Sequence, residues 1–566
     1  MTGTVSPQAA STTDTVPAPR LTQRQRDLVC AGALLALAVL PLRGLLRNQG
    51  PPMEEGFMLV FPERVLKGDL PNRDFLHLYG PGSLWALAAA FKVFGTRLEV
   101  QRLFALAQQV GVFTGVFALT RWWGRTAATL CAAISLLIIM PPIGLTALAW
   151  VGAVAFGVWG LWFGLRALHD PAHEHAGRRM LLAGLLYGFA LLFRLDLVVA
   201  VGLSGLVLWL AADRPLRRKL LGGLALGCTP YLVHLATAGP TTVFRGMVLD
   251  PVVYLRGGRR LPVPPPPDHL AGFLQKAGEL RTLGWPLPTL RSATQLTIWF
   301  FFLIASIFAL LLVAWRLRSS DRSSFRGRVL LASGLFSLGI LPQALQRTDS
   351  THFAWVSCVP VALLPVAIVE LLRGRTRWEP RTRGVVAGVS VLAFLALVIP
   401  RYTFNSFADY SLQSFGIHRQ AFKIERNGRV FYYGRPDVAA ALKPLIRDLD
   451  KVSEPGQTLL VGTADLRKTP YSDAFLYYLF PELPPATYYI EMDPGVANAD
   501  DSGLADEVRH ADFLVLSRVW DDWDEPNDAR NFGSSEPNEV VEKDFCLVGD
   551  YEHLYELYER CNSEIG

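Results

Sequence analysis

The chain has 566 residues, of which 51% are hydrophobic and only 18% charged, and its mean hydropathy is +0.28. Soluble domains carry about 25% charged residues, so this composition excludes an ordinary soluble enzyme. The net charge of +6 conceals a division of the chain. Residues 401–566 contain 30 acidic and 16 basic side chains, whereas residues 1–400 contain 19 acidic and 39 basic ones. This asymmetry separates a basic membrane part from an acidic soluble part.

The first 400 residues predict a polar tail followed by a bundle of membrane spans. Residues 1–27 are rich in Ser, Thr, Pro and Ala, which is typical of a disordered segment. Residues 28–400 contain eleven apolar runs that we interpret as transmembrane helices. We predict these spans over residues 28–46, 103–120, 126–140, 143–165, 180–193, 197–212, 220–238, 293–315, 329–345, 353–372 and 384–400.

The basic residues between the spans predict how the chain is oriented in the plasma membrane. Clusters of Arg and Lys mark cytoplasmic loops, and with eleven spans all six clusters fall on the cytoplasmic side. The tail 1–27 is then cytoplasmic and residues 401–566 are extracytoplasmic. The short segment 83–95 contains Lys92, so we interpret it as a re-entrant or interfacial helix on the outer face. Because the basic charge serves orientation, the expected surroundings are a lipid bilayer, and no nucleic-acid partner is expected.

Residues 401–566 predict a soluble α/β domain outside the membrane. The apolar runs 458–462, 486–491 and 513–517 predict strands, and residues 473–480 and 502–510 predict helices. Strands that alternate with short helices favour a small α/β fold. Cys546 and Cys561 are the only cysteines in this domain, and an oxidising compartment favours a disulfide between them.

The stretch from Met53 to Ser83 contains five acidic residues directly after the first span. Glu54 and Glu55 lie where the chain leaves the bilayer, and partial desolvation there raises the basicity of a carboxylate, as a general base requires. We favour Glu55 slightly over Glu54, because Gly56 beside it would let a substrate approach closely. The same stretch contains Arg73, Asp74 and His77, which we interpret as substrate-binding or loop-positioning residues.

Three further groups of charged residues fall in predicted outer loops. Arg194 and Asp196 lie between two spans, where charge is costly and commonly functional. The run QALQRTDSTH places Arg347, Asp349 and His352 between two later spans. We expect Arg194, Arg347 and His352 to bind a phosphate, since the planar guanidinium suits phosphate oxygens, whereas one His with one Asp is a weak metal signal. The remaining loop residues that could contact substrate are Asp196, Asp349, Arg256, Arg259 and Arg260.

Several motifs resemble the GT-C superfamily of polytopic glycosyltransferases, in particular bacterial glycosyltransferase-39-like members. They are the acidic pair after the first span, the run GDLPNRDFLHLYGPGS, the segment GTRLEVQRLFAL and the motif RWWGR. The resemblance covers about residues 28–400. The acidic pair here is Glu54-Glu55, where many relatives have an Asp, and this departure leaves open which carboxylate is the base.

The resemblance implies a GT-C-like catalytic domain that transfers a hexosyl or pentosyl group from a polyprenyl-phosphate donor. The acceptor would be a cell-envelope glycan, a lipid or a protein on the outer face. Transfer would proceed by direct displacement with inversion, with one Glu as base and Arg residues stabilising the departing lipid phosphate. No cofactor is expected, although the sequence leaves a divalent cation open.

Two other functions are compatible with a polytopic chain. A lipid or polysaccharide transporter would favour polar residues near the bilayer midplane and internal repeats, whereas here the unusual charges lie at one face and we find no repeat. A non-catalytic scaffold that presents the α/β domain gives no reason for Glu54-Glu55, or for Arg194 at membrane depth.

Overall fold

The computed structural model describes residues 22–272, 284–418, 421–521 and 524–561. Residues 1–21 of the predicted tail lie outside the described residues, whereas its last residues, 23–27, form the first turns of the helix Gln23–Val39 and not a disordered segment. Within them, nine helices are long and apolar enough to cross a membrane, which makes this a multi-pass membrane protein. They are Gln23–Leu45, Leu98–Trp123, Arg125–Ile143, Ala149–His169, Ala176–Phe193, Arg214–Ala238, Ser292–Ser320, Phe325–Gln346 and Pro380–Val398.

The other two predicted spans are helical but differ from simple membrane helices. Ser350–Ser357 and Pro360–Leu372 form a pair bent by 43°, which brings the described total to at most ten spans. The break is at Pro360, which cannot donate a main-chain hydrogen bond to the preceding turn. Val198–Ala211 has only 14 residues, or about 21 Å at the rise of an α-helix, which is short of a bilayer core. Among the described residues, the nine candidate spans, the bent pair and this shorter helix together account for the eleven apolar runs of the sequence, although the last two are not simple straight spans.

Small residues allow two of the membrane helices to approach closely. Ala176–Phe193 packs against Arg214–Cys228 through Gly184 and Gly223. A Cβ at Gly184 would overlap the carbonyl of Leu220, and one at Gly223 would overlap the neighbouring backbone in the same way. Such small-residue contacts are how helices associate where burial from water supplies no driving force.

Two shorter helices lie between the first span and the bundle. Pro52–Lys67 begins with Pro at its first position, where no donor is needed, and ends at Gly68 in the left-handed conformation. Gly56 in this helix packs against the backbone of Ala474 and Phe475, at a distance that leaves no room for a side chain. The glycine thus allows contact with the C-terminal domain, and the substrate approach that we expected at Gly56 does not occur. The segment 83–95 is the helix Gly82–Phe94.

The C-terminal residues form the expected α/β domain. Strands β1 (Phe422–Arg426) and β2 (Arg429–Tyr433) form an antiparallel hairpin. A four-stranded sheet has the order β3-β4-β6-β5, in which β3 and β4 are parallel and the other neighbours antiparallel. Its strands are β3 (Leu459–Thr463), β4 (Phe513–Ser517), β5 (Phe545–Tyr551) and β6 (Tyr555–Arg560). The helices of this part are Phe404–Ser414, Pro436–Val452, Phe475–Leu479, Leu504–His510 and Glu536–Asp544.

Two details of the C-terminal prediction had different outcomes. The predicted disulfide between Cys546 and Cys561 is confirmed, and it joins the start of β5 to the residue that follows β6. The predicted strand over 486–491 is wrong. That segment is an irregular connection. It follows the isolated bridge between Leu459 and Pro485, and the N–H of Ala486 donates to the Leu459 carbonyl at 2.8 Å. Its last residue, Glu491, lines the cavity described below.

Candidate active site

A cavity of about 220 Å³ lies between the ends of the membrane helices and the C-terminal domain. The N-terminal end of helix Pro52–Lys67, the turn at 194–196 and the ends of the helices around residues 343–355 contribute the membrane-side wall. Residues 247–259 cover one side, and Tyr471, Glu491 and Asp493 complete the wall from the C-terminal domain. The site therefore requires both parts of the chain.

Glu54 lines this cavity. Its carboxylate lies in the first turn of a helix and accepts a hydrogen bond of 3.0 Å from the Tyr471 hydroxyl. Burial raises the pKa of Glu54, an effect that the Tyr471 hydrogen bond and the charges of Arg259 and Arg347 only partly oppose. A buried carboxylate of raised pKa that faces a cavity has the properties of a general base.

Glu55 points away from the cavity. Its two carboxylate oxygens accept hydrogen bonds of 2.8 and 2.7 Å from the guanidinium of Arg102, and both side chains are fully buried. Arg102 also donates to the main-chain carbonyls of Leu45 and Asn48. The Glu55–Arg102 ion pair thus joins helix Pro52–Lys67 to helix Leu98–Thr120, and this geometry favours Glu54 over Glu55 as the base.

Arg194 also lines the cavity, at the C-terminal end of a membrane helix. It donates to both carboxylate oxygens of Asp196, at 3.0 and 2.6 Å. Its guanidinium carbon lies 4.1 Å from the ring centroid of Tyr79 and 5.0 Å from that of Trp150. The rings and the carboxylate fix the orientation of the cation, which leaves it directed at the cavity.

Arg347 and His352 line the cavity and are connected through Asp349. Arg347 donates to Asp349 at 3.0 Å, and His352 Nδ1 lies 2.8 Å from the same carboxylate. Asp349 also caps helix Ser350–Ser357, although it does not itself line the cavity. Burial alone would raise the pKa of Asp349, but His352 and Arg347 lower it. Glu525 of the C-terminal domain forms a second ion pair with Arg347.

The three arginines of the outer loop have different positions. Arg259 lines the cavity, and it donates to Asp493 at 2.9 Å and to the carbonyl of Pro470 at 3.1 Å. Arg256 and Arg260 are exposed and do not line the cavity. Only Arg259 is therefore placed to contact a substrate there.

Arg73, Asp74 and His77 lie outside the cavity wall, although their neighbours Leu78 and Tyr79 form part of it. Arg73 and Asp74 form an ion pair of 2.8 Å, and its hydrogen bonds lower the pKa of Asp74. His77 is buried, which lowers its pKa to about 3 and keeps the ring neutral. These residues shape the loop that carries Tyr79 to the site.

The sequence analysis did not identify the residues that the C-terminal domain contributes. Tyr471 and two carboxyl groups line the cavity, and Oε1 of Glu491 and Oδ2 of Asp493 are buried without a hydrogen-bond partner. Burial, with the neighbouring charge of Asp493, raises the pKa of Glu491 well above its ordinary value. Nearby, Asp473 accepts hydrogen bonds from Ser517 and Tyr555, which anchors the Tyr471 segment to the sheet.

Within the four described ranges, no group of three or more His, Cys, Asp or Glu side chains is arranged to hold a metal ion. The cavity is instead rich in guanidinium groups that face carboxyl groups.

Comparisons with known proteins give similar structures but no matching family. No family model matches the sequence, and no curated protein matches it. ArnT from Cupriavidus metallidurans, solved bound to undecaprenyl phosphate, is similar with a TM-score of 0.49 and 15% identity, covering 96% of this chain and 100% of that one. The Archaeoglobus fulgidus oligosaccharyltransferase, tethered with an acceptor peptide, has a TM-score of 0.42 and 14% identity, covering 95% of this chain and 74% of that one.

Proposed function

We propose that the protein is a membrane glycosyltransferase that moves a sugar from a polyprenyl-phosphate donor to a hydroxyl-bearing acceptor. One observation carries this proposal: a single cavity brings the buried carboxylate of Glu54 together with three guanidinium groups. These belong to Arg194, Arg259 and Arg347. A base and a cluster of cations in one enclosed site match the two requirements of glycosyl transfer from a phosphate leaving group.

The arginines supply the anion-binding half of the site. Guanidinium groups match phosphate oxygens in a bidentate geometry, and in a site of low dielectric they stabilise charge that develops in the transition state. Arg194 and Arg347 are held by Asp196 and Asp349, which fixes their direction before a substrate arrives. The cost of reorganising them during the reaction is therefore small.

Glu54 supplies the base in this mechanism. It removes the proton from the acceptor hydroxyl while the acceptor oxygen attacks the anomeric carbon. The bond between that carbon and the phosphate oxygen breaks, and its electron pair leaves with the polyprenyl phosphate. Because attack and departure occur on opposite faces, the configuration at the anomeric carbon inverts.

The size and edges of the cavity fit a lipid-linked sugar. Drug-sized ligands occupy pockets of about 300–1,000 Å³, so a cavity of about 220 Å³ fits a single sugar ring and a phosphate better than an entire lipid. Leu195 and Val252 line the cavity and are also exposed on the outside of the bundle. This apolar edge gives the polyprenyl chain a way into the surrounding bilayer.

The cavity residues lie at the ends of membrane helices, which favours catalysis at one face over transport through the midplane. Arg194 follows helix Ala176–Phe193, and Arg347 follows helix Phe325–Gln346. With the basic loops cytoplasmic, this face and the C-terminal domain are extracytoplasmic. Whether the transferred group is a hexose or a pentose, the same arrangement of base and cations applies.

The substitution Glu54→Gln tests this proposal most directly. It keeps the shape of the side chain but removes its basicity, so turnover should fall by roughly 10²–10⁴-fold while donor binding persists. The matched control is Glu99→Gln, which changes an exposed carboxylate outside the cavity and should leave turnover unchanged. The measurement is transfer from a panel of undecaprenyl-phosphate sugars by purified protein in lipid nanodiscs. Near-normal transfer by Glu54→Gln would contradict the mechanism.

A further inference from the structure

Two acidic side chains of the C-terminal domain face the cavity with hydrogen-bonding capacity that the protein does not use. Glu491 and Asp493 are 5% and 1% exposed, and both line the cavity wall. Oε1 of Glu491 and Oδ2 of Asp493 have no hydrogen-bond partner. A buried polar atom without a partner is unfavourable and rare in native structures, so this pair calls for an explanation.

The backbone between the two residues adopts a conformation that is rare for a side chain other than glycine. Met492 has φ of 51° and is fully buried. In an extended segment, alternate residues share a face, and a left-handed residue between them alters this geometry locally. The irregular connection at 486–493 thus delivers both carboxyl groups to the cavity, where the sequence pattern predicted an ordinary strand.

We propose that Glu491 and Asp493 form the subsite that recognises the hydroxyl groups of the transferred sugar. The inference rests on the proposed function, because Arg259 is one of the groups assigned there to the donor phosphate. Arg259 donates to Oδ1 of Asp493 at 2.9 Å, so the carboxyl pair adjoins the phosphate site. A sugar linked directly to that phosphate lies beside both residues.

The charge state of the pair favours a neutral sugar over an amino sugar. The pKa of Glu491 is raised by burial first and then by the negative charge of Asp493, and Glu54 acts in the same direction. This shift favours the protonated form of Glu491, which can donate as well as accept, while Asp493 forms an ion pair with Arg259. One donor and one free acceptor suit adjacent hydroxyl groups.

The experiment compares the affinity for lipid with and without a sugar. The probes are undecaprenyl phosphate itself, undecaprenyl-phosphate glucose, galactose, mannose and arabinose, and undecaprenyl-phosphate glucosamine. We expect Glu491→Ala to weaken binding of the preferred neutral donor by about three- to tenfold, the usual range for a lost hydrogen bond. Binding of bare undecaprenyl phosphate should not change. Glu491→Gln should stay within about twofold of the parent, since an amide also donates and accepts.

The remaining outcomes separate this inference from the proposed function. If Glu491→Ala weakens the binding of bare and sugar-bearing lipid equally, or weakens neither, the sugar subsite is overturned. Binding of undecaprenyl phosphate by the parent protein would still uphold the proposed function. A preference for the glucosamine donor that Glu491→Gln abolishes overturns the assignment to neutral sugars. Failure of the parent protein to bind any of the probes overturns both proposals. Glu536→Ala, at an exposed carboxylate of the same domain, is the matched control and should match the parent.

Discussion

The two walls of the cavity differ in how their charged groups are paired. On the membrane side, Arg194 and Arg347 are held by carboxylates two residues along the same segment. On the C-terminal side, Asp493 and Glu525 pair with arginines across the boundary between the two parts. The membrane part thus has carboxylates that pair with its own arginines, whereas the carboxylates of the C-terminal part pair with arginines of the membrane part.

This difference assigns separate tasks to the two parts. Arg194 is paired within the membrane part alone, whereas Arg347 is held by Asp349 and also by Glu525 of the C-terminal domain. In the proposed function, these two arginines form the preorganised anion site. Carboxyl groups with unused oxygens, on a connection anchored to a sheet, are suited to recognise hydroxyl groups. The membrane part would then hold the phosphate and supply the base, and the C-terminal part would select the sugar.

The largest effect that we expect is on stability. It distinguishes Glu55, which has a structural role in the membrane part, from Glu54, the proposed catalytic carboxylate. Glu55→Ala leaves the buried Arg102 without its partner, and breaking such a pair costs about 3–5 kcal/mol. Glu54→Ala removes a side chain held by one hydrogen bond, so its cost should be nearer 1 kcal/mol. The measurement is the thermal unfolding midpoint of each variant in one detergent. Similar midpoints for the two variants would show that Glu55 has no special structural role.

The contrast between Glu54 and Glu55 also marks the limit of sequence reasoning. The acidic pair stands out because carboxylates are rare in an apolar region, and the same argument identified Arg194 and Arg347. Which of two adjacent carboxylates faces the cavity depends on the rotation of a helix, and Arg102 is 47 positions from its partner Glu55. Local sequence does not contain that information.

The C-terminal contribution was missed for a different reason. Residues 401–566 contain 30 acidic residues, so Glu491 and Asp493 do not stand out in the sequence from the other acidic residues of this part. The pattern ATYYIE predicted a strand because its residues have high β-propensity, but the tertiary fold uses them as an irregular connection. The strands β3 and β4 were predicted because their apolar runs are buried in a local core, and the helix Leu504–His510 because its few apolar residues recur at helical spacing.

The second prediction concerns the anion site. Arg194→Ala should lower kcat/KM for a polyprenyl-phosphate sugar by roughly 10²–10³-fold, as expected for the loss of one strong donor to a developing negative charge. The fold should persist, because the side chain of its partner Asp196 is 44% exposed and can be solvated. Arg256→Ala is the matched control, since that residue is exposed and outside the cavity. An equal loss in both variants would point to general surface charge instead of a phosphate site.

A third prediction tests whether the disulfide at β5, an edge strand of the four-stranded sheet, affects activity at the cavity. Replacing both Cys546 and Cys561 with Ser should destabilise the C-terminal domain by about 3 kcal/mol, because the disulfide closes a loop of 15 residues. Neither cysteine lines the cavity, so turnover below the unfolding temperature should stay within about twofold of the parent. Differential scanning fluorimetry and an initial-rate assay on the same sample distinguish the two effects. A large loss of turnover in fully folded protein would couple this edge of the sheet to the site.

The smallest effect concerns Tyr471, through which the C-terminal part contacts Glu54, the proposed base. The Tyr471 hydroxyl donates to Glu54 at 3.0 Å and thereby opposes the rise in the pKa of Glu54 that burial causes. Glu54 is active as a base only when it is deprotonated, so activity rises as the pH rises through its pKa. Tyr471→Phe removes the hydrogen bond, the pKa of Glu54 rises further, and the acidic limb of the kcat profile should move to higher pH. At a pH above the acidic limbs of both the parent and the variant, kcat of the variant should be less than about tenfold below that of the parent. The reason is that one hydrogen bond contributes about 0.5–1.5 kcal/mol. A shift of this limb to lower pH, or none at all, would show that Tyr471 does not tune the base and that the C-terminal part acts on the substrate alone.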